Sequence, residues 1–153
     1  MLFKSVVLLG ASFIGSVFAA EMSIIIPYER YEIAGLPNAT PMQFLFDAKA
    51  KLIYHGIGTD RSLKSKFRNR LALDNGEQIK KKLLTLFDEQ PAFAGYDYTL
   101  VLITDDRAEE FCPPCVIQSK INKKVISSMQ DSNILLINLL QHFDGERTGT
   151  ILP

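Results

Sequence analysis

The sequence predicts an α/β domain built around a central mixed β-sheet. Two short apolar runs, Tyr98–Thr104 (YTLVLIT) and Asn133–Leu140 (NILLINLL), have the length and composition of strands buried on both faces. Between them, apolar residues recur at every fourth position and indicate a helix that begins near Pro113: Ile117, Ile121, Val125 and Met129. Strand, helix and strand in this order form a βαβ unit, which places two parallel strands in one sheet.

The N-terminal segment has the composition of a secretory signal peptide. Lys4 supplies a positive charge, Val6–Val17 is a short apolar stretch, and Val17 and Ala19 are small residues at the positions that a signal peptidase recognises. We therefore expect residues 1–19 to be a signal peptide and residues 20–153, 134 in number, to form a single domain. An uncleaved anchor is the alternative, although the stretch is short for a span of about 20 residues.

The segments between the leader and the βαβ unit are more varied. Met22–Ile26 is rich in isoleucine and ends at Pro27, which fits a first strand, at the edge of the sheet. Tyr28–Pro41 contains a glycine, an asparagine and two prolines, so we predict a loop. Met42–Tyr54 mixes apolar and polar residues in a way that leaves helix and strand equally open.

Two further segments have a helical pattern. Arg61–Arg70 contains five basic residues, and Gly76–Gln90 alternates an apolar face with a lysine-rich face. We interpret the basic face of Arg61–Arg70 as solvated, with a phosphate or acidic-partner site as the alternative. Because the whole chain carries 17 basic and 17 acidic residues, its charge does not favour a nucleic-acid partner.

The motif that carries chemistry is Cys112-Pro113-Pro114-Cys115, which holds the only two cysteines of the chain. A C-x-x-C between a strand and a helix is typical of thiol–disulfide exchange. If Cys112 is the N-cap of the helix, the free N–H groups of the first turn and the helix dipole favour its thiolate. Pro113 fits the first helical position, whereas Pro114 removes one N–H donor.

Acidic neighbours oppose this activation, because negative charge raises the pKa of a thiol. The acidic residues of this segment, in which Arg107 is the only nearby cation, are Asp105, Asp106, Glu109 and Glu110. We expect Cys112 to attack a substrate disulfide and Cys115 to resolve the mixed disulfide, while Phe111 offers apolar surface to an extended peptide.

Three other interpretations of the motif remain open. A structural disulfide without exchange chemistry is the main one, although closing a four-residue loop stabilises a fold little. A zinc site would need His55 and His142 in addition to both cysteines. The third is a motif without any role. We expect no cofactor and no resident metal, since the chain has no nucleotide-binding fingerprint and no strong metal-ligand spacing.

The unit of strand, C-x-x-C, helix and strand resembles the centre of the thioredoxin superfamily, from Tyr98 to Leu140. The resemblance implies a thioredoxin-like fold of three layers, with Cys112 as nucleophile and Cys115 as resolving cysteine. Phe111 stands where that superfamily usually has tryptophan, and seven residues separate Thr104 from Cys112, which is a long gap.

The long gap, the leader and the preceding helical segment are similar to the lumenal domain of the oxidoreductase subunit of oligosaccharyltransferase, over residues 75–145. This resemblance implies transient mixed disulfides with cysteine-containing proteins during N-glycosylation in the endoplasmic reticulum lumen, within a membrane complex. A periplasmic or secreted protein is the alternative. That family carries four membrane-spanning helices after the domain, and no such helices follow here.

A thioredoxin fold also requires a helix, a strand after a cis-proline and a closing helix beyond Leu140. Pro153 is the residue available for the cis-proline position, where it would contact substrate, but no strand follows it. Either the chain is a truncated product, or earlier residues such as Met22–Ile26 complete the sheet in another order. Two functions follow: an oxidoreductase, with Cys112 partly exposed at a helix start, or a non-catalytic binding module whose buried disulfide is structural.

Overall fold

The computed structural model describes residues 19–145 except 38, 92 and 94. Residues 1–18 of the expected signal peptide and the expected substrate-binding residue Pro153 lie outside this range. None of the helices within it is both long enough and apolar enough to span a bilayer.

A five-stranded mixed sheet forms the centre of the described chain, which confirms the predicted α/β class. The strands lie side by side in the order β1, β5, β4, β2, β3. β1, β5 and β4 are parallel to one another, whereas β2 is antiparallel to both β4 and β3. The bounds are Ala19–Pro27 for β1, Met42–Asp47 for β2, Leu52–Ile57 for β3, Tyr98–Asp105 for β4 and Ile134–His142 for β5.

Helices cover both faces of this sheet. Their bounds are Tyr28–Ala34 for α1, Leu63–Lys66 for α2, Gly76–Leu84 for α3, Ala108–Phe111 for α4 and Pro113–Ser127 for α5. Side chains of α1 and α3 pack on one face, which we call the α1/α3 face, and side chains of α2 and α5 pack on the other, the α5/α2 face. The alternation of strand residues divides the core accordingly: Phe44 and Phe46 point to the α1/α3 face, and Leu45 points to the α5/α2 face.

The first strand and the βαβ unit lie where the sequence places them. β1 includes the predicted Met22–Ile26 and forms an edge of the sheet through its pairing with β5. The segment Met42–Tyr54, left open between helix and strand, contains β2 and the first part of β3. Residues upstream of the βαβ unit therefore contribute three of the five described strands, β1, β2 and β3.

The prediction of a loop over Tyr28–Pro41 is wrong, because its first half is helix α1. Tyr31 and Ala34, one turn apart, are both buried in the core on the α1/α3 face, and this packing outweighs the weak local pattern. Gly35 ends the helix at a φ of 66°, a left-handed conformation that glycine adopts without steric cost.

The helix predicted over Arg61–Arg70 shrinks to the single turn α2. Ser65 and Asn69 direct their side chains to backbone carbonyls, of Ser62 at 2.7 Å and of Ile53 at 3.1 Å. Such side-chain bonds offer the backbone an alternative to helix. The predicted helix Gly76–Gln90 is confirmed for its first part, as α3.

Candidate redox site

The C-x-x-C motif lies at the carboxyl end of β4, at the start of α5. Cys112 is the N-cap of α5 and Pro113 is its first residue, as the sequence predicts. The segment predicted as a charged loop between Asp105 and Phe111 contains the short helix α4, which brings the chain from β4 into α5.

The two cysteines form a disulfide with a Cα–Cα distance of 5.2 Å. They differ in exposure: Cys112 retains 7% of its surface, whereas Cys115 retains none. Cys115 lies on the buried face of α5, three residues after Cys112. Cys112 is thus the less buried of the two residues, but both are buried, so the partial exposure of Cys112 expected of an oxidoreductase is not observed.

The backbone around Cys112 differs from expectation in one respect. The N–H groups of Cys115 and Val116 both donate to the carbonyl oxygen of Cys112, at 2.9 and 3.3 Å, and not to its sulfur. Pro113 and Pro114 have no N–H, so the first turn of α5 directs no hydrogen bond at Sγ. Activation of Cys112 by helix N–H groups is thus weaker than the N-cap position alone suggests.

The sulfur of Cys112 has a polar neighbour that sequence reasoning missed. The hydroxyl Oγ1 of Thr40 lies 3.7 Å from Cys112 Sγ, and the Thr40–Pro41 peptide bond is cis. Met42, the first residue of β2, pairs with Ile103 near the carboxyl end of β4. This antiparallel pairing carries the residues just before β2 to the motif. A proline directly before an apolar run was the available signal.

Phe111 and the acidic segment surround the motif on its exposed side. The ring of Phe111 is 43% exposed, and the guanidinium of Arg107 lies 4.5 Å from its centroid. Arg107 also forms an ion pair with Glu110 and donates its backbone N–H to Asp105 Oδ1 at 2.8 Å. Phe111 therefore presents apolar surface beside Cys112; its contact with a substrate peptide stays a prediction.

His142 lies at the same end of the sheet as the motif, at the carboxyl end of β5. Its Nδ1 is 2.5 Å from Asp106 Oδ2 and its Nε2 is 2.7 Å from Asp144 Oδ1. The hydrogen bond with Asp106, helped by the one with Asp144, raises the pKa of His142 above its ordinary value. One of the four acidic residues near the motif is thus engaged by a histidine.

Beneath the motif, three fully buried amide side chains form a second polar feature that sequence reasoning missed. Gln118 Nε2 donates to Gln43 Oε1 at 3.1 Å and to Asn122 Oδ1 at 2.7 Å, and Gln118 Oε1 accepts the backbone N–H of Asp60 at 2.6 Å. We call Gln43, Gln118 and Asn122 the amide cluster. It ties α5 to β2 and to the chain before α2.

The buried face of α5 differs from the predicted one because it includes two members of the amide cluster, Gln118 and Asn122. It is formed by Cys115, Gln118, Asn122, Val125 and Ile126. Ile117, expected to be buried, is 44% exposed. The spacing by four was read correctly as helical, but polar amides occupy buried positions that an apolar pattern assigns to solvent.

The four ligands of the zinc interpretation are not assembled. The cysteines are bonded to each other, His142 is paired with two carboxylates, and His55 stacks on Phe44 with ring centroids 6.3 Å apart. Within residues 19–145, apart from the three positions left out, no three histidine, cysteine or acidic side chains form a group suited to a metal ion.

Comparisons with protein-family models, with curated proteins and with solved structures found no match to this chain.

Proposed function

We propose that this protein is a thiol–disulfide oxidoreductase in which Cys112 is the attacking and Cys115 the resolving cysteine. The observation that carries the proposal is the asymmetry of the disulfide. Cys112 is the N-cap of α5 and the more exposed of the two cysteines, whereas Cys115, three residues further along, is fully buried. Exchange needs one sulfur that a substrate can reach and a second that is held within reach of the first.

The fold supports a thioredoxin-like arrangement with a different chain order. The family resemblance requires a helix, a strand after a proline and a closing helix beyond the second strand of the βαβ unit. Here α1, the strand β2 that begins after Pro41, and α3 all precede β4 in the chain. We propose that these elements occupy the corresponding places around the sheet, and that Thr40 and Pro41 face the substrate beside Cys112.

The reaction conserves electrons between two dithiol–disulfide pairs. In the reducing direction, the Cys112 thiolate attacks a substrate disulfide, forms a mixed disulfide and displaces one substrate thiolate, which takes up a proton. The Cys115 thiolate then attacks Cys112 Sγ, closes the protein disulfide and releases the second substrate thiol. In the reverse direction, a substrate thiolate attacks Cys112 Sγ of the disulfide and Cys115 leaves as thiolate; a second substrate thiolate then closes the substrate disulfide and displaces Cys112 as thiolate.

The substrates that fit this chemistry are cysteine-containing polypeptides in extended conformation. Phe111 offers an apolar contact next to the disulfide. From the leader-like N-terminus we further propose that the protein acts in the secretory pathway, in the endoplasmic reticulum lumen or in a periplasm. More specifically, we propose an accessory role beside a membrane oligosaccharyltransferase complex, in which the protein holds acceptor chains by mixed disulfides.

One observation favours a second function, a non-catalytic binding module. Both cysteines are more than nine-tenths buried. A disulfide that no substrate thiolate can approach is a structural link, and the module would then act through its surface alone.

Trapping of mixed disulfides separates the two functions. We expect Cys115→Ser to accumulate mixed disulfides with secreted polypeptides, because its Cys112 thiol can attack but the product cannot be resolved. Cys112→Ser is the matched control and should trap little. If Cys112→Ser traps substrates and Cys115→Ser does not, the assignment of the nucleophile is wrong.

A redox titration with glutathione distinguishes a disulfide that exchanges with substrates from a structural disulfide. A reduction potential near the secretory compartment's own, about −180 to −210 mV, indicates a disulfide that exchanges in use. A potential below about −300 mV indicates a structural link and favours the binding module.

A further inference from the structure

The outer surface of the α5/α2 face is strongly basic. The chain from Asp60 to Arg70, which contains α2, packs beside α5 on this face. Residues 60–70 and α5 together contain one acidic residue, Asp60, and eight basic ones: Arg61, Lys64, Lys66, Arg68, Arg70, Lys120, Lys123 and Lys124. We call these eight residues the basic layer.

Most of this charge has no acidic partner among the described residues. Lys123 pairs with Glu21 at 3.5 Å, and Lys66 lies 5.3 Å from the centroid of the Tyr54 ring. Within the part of the chain that the structure describes, no carboxylate lies within 4.0 Å of the remaining six basic groups: Arg61, Lys64, Arg68, Arg70, Lys120 and Lys124. Arg30 and Arg107, by contrast, each contact a carboxylate directly.

Asp60, the one acidic residue within residues 60–70 and α5, is occupied by its own neighbours. Asp60 Oδ2 accepts the hydroxyl of Tyr54 at 2.7 Å, and Oδ1 accepts the backbone N–H and the hydroxyl of Ser62 at 2.7 and 2.6 Å. Asp60 thus holds the start of the segment in place.

The segment that carries five of the cations is fixed to the core. Leu63 is fully buried and Phe67 retains 3% of its surface. The hydroxyl of Tyr98 donates to the Phe67 carbonyl at 3.0 Å, and Asn69 Nδ2 donates to the Ile53 carbonyl at 3.1 Å. Because the backbone is already ordered, a partner that binds these cations incurs little further entropy cost.

Two exposed apolar residues accompany the basic layer. Leu71, directly after Arg70, is 82% exposed, and Ile117 on α5 is 44% exposed. Cations next to exposed apolar side chains are typical of surfaces that lie in the boundary between lipid headgroups and acyl chains. A soluble polyanion would use the cations but not the leucine.

We propose that the basic layer binds the surface of a bilayer containing anionic phospholipids. The lysine and arginine side chains lie at the level of the lipid phosphates, and Leu71 enters the boundary region. The proposal goes beyond the redox chemistry and does not depend on it, since none of the eight cations belongs to the disulfide site.

Vesicle cosedimentation tests this with the full chain. The probe is a vesicle of phosphatidylcholine with roughly one-third phosphatidylserine, compared with phosphatidylcholine alone, which measures any binding by the apolar residues 1–18. We expect preferential binding to the anionic vesicles that is lost near 1 M salt, where the Debye length falls to about 3 Å.

Variants locate the contact on the basic layer. Two variants, Arg68→Glu with Arg70→Glu and Lys120→Glu with Lys124→Glu, should each weaken binding to anionic vesicles by at least about tenfold. Lys49→Glu with Lys51→Glu, at the exposed β2–β3 turn, makes the same charge change and should retain binding. Leu71→Ser should weaken binding severalfold.

Three outcomes overturn the proposal. The first is the absence of preferential binding to anionic vesicles at low salt. The second is an equal loss of vesicle binding in the Lys49 and Lys51 control. The third is a basic layer that binds heparin but not vesicles, which would identify a soluble polyanion as the partner. Trapping of mixed disulfides is unaffected by these substitutions, so a failure here leaves the redox proposal in place.

Discussion

The two faces of the sheet are packed in different ways. On the α1/α3 face the apolar cluster is the larger one and is rich in large side chains, among them Tyr31, Phe44 and Phe46. On the α5/α2 face a smaller apolar cluster adjoins the amide cluster of Gln43, Gln118 and Asn122. The face that carries the disulfide is therefore the one in which three buried amide side chains are joined by hydrogen bonds.

This difference has a physical consequence. Apolar burial stabilises a fold without specifying angles, at roughly 25 cal/mol per Å². A buried hydrogen bond adds only about 0.5–1.5 kcal/mol net, but it is directional, and an orphaned buried group costs about 1–3 kcal/mol. We infer that the α1/α3 face supplies most of the stability, whereas the amide cluster fixes the position of α5 and hence of its cysteines.

The largest expected effect is on the α1/α3 face. Leu83→Ala removes a fully buried side chain and should lower the free energy of unfolding by about 2–5 kcal/mol, because a cavity is left in a close-packed core. Denaturant titration with the disulfide intact measures the loss. Leu71→Ala, a matched change at an 82% exposed leucine, should alter stability by less than about 0.5 kcal/mol. Equal losses in the two variants would contradict the assigned core.

The second effect tests the amide cluster. Gln118→Ala leaves the N–H of Asp60 and the carbonyl oxygens of Gln43 and Asn122 without their partner, and should lower the free energy of unfolding by about 1–3 kcal/mol. Faster hydrogen exchange at the Asp60 amide distinguishes this from a general loss of stability.

Asn122→Leu is the informative comparison for that variant. The Nδ2 group of Asn122 is buried without an acceptor, and leucine has a similar size. The substitution therefore removes an orphaned donor together with a single hydrogen bond, from Gln118 Nε2 to Asn122 Oδ1. It should cost less than Gln118→Ala even though both residues are fully buried. The opposite ranking would show that the cluster contributes packing and not directed hydrogen bonds.

The sequence predicts the elements whose signal is local. β4, β5 and α5 follow from apolar runs and a spacing of four, and the N-cap position of Cys112 follows from where that spacing begins. These patterns report burial along a single element, so they can be recognised without any knowledge of the fold.

The features that sequence reasoning missed depend on contacts between distant residues. Thr40 and Cys112 are 72 positions apart and meet only because β2 pairs with β4. Gln118 and Asn122 are polar, so a pattern of apolar residues assigns them to solvent, and only the partners supplied by β2 and by Asp60 make their burial favourable. Helix α1 likewise depends on the core that receives Tyr31.

The third effect concerns the point where β2 reaches the motif. Thr40→Val keeps the shape of the side chain but removes the hydroxyl 3.7 Å from Cys112 Sγ. In the reduced protein, loss of a hydroxyl that can donate to the thiolate should raise the pKa of Cys112. The pH dependence of alkylation by iodoacetamide measures this. Thr40→Ser, which keeps the hydroxyl, should restore the parent pKa, and a failure to do so would assign the effect to packing.

The smallest effect concerns His142, at the end of β5 beside the motif, and not the packing of either helical face. Because Asp106 and Asp144 raise the pKa of His142 in the folded state, the charged imidazole stabilises the fold. This contribution is fully present below the pKa of the unfolded state, about 6.5, and is lost as the pH rises through the higher folded value. The free energy of unfolding should therefore fall more between about pH 6 and pH 8 in the parent protein than in His142→Asn.

An NMR titration of the His142 ring checks the sign directly. The side chain is 44% exposed, so solvent screens the pairs and the change in stability is a few tenths of a kcal/mol at most, about the size of an exposed ion pair. Asp106→Asn should lower the pKa of His142 more than Asp144→Asn, since the hydrogen bond with Asp106 is its main cause. A His142 pKa that both substitutions leave unchanged would mean that these carboxylates do not hold the end of β5, and that the packing of the two faces alone positions the strand beside the motif.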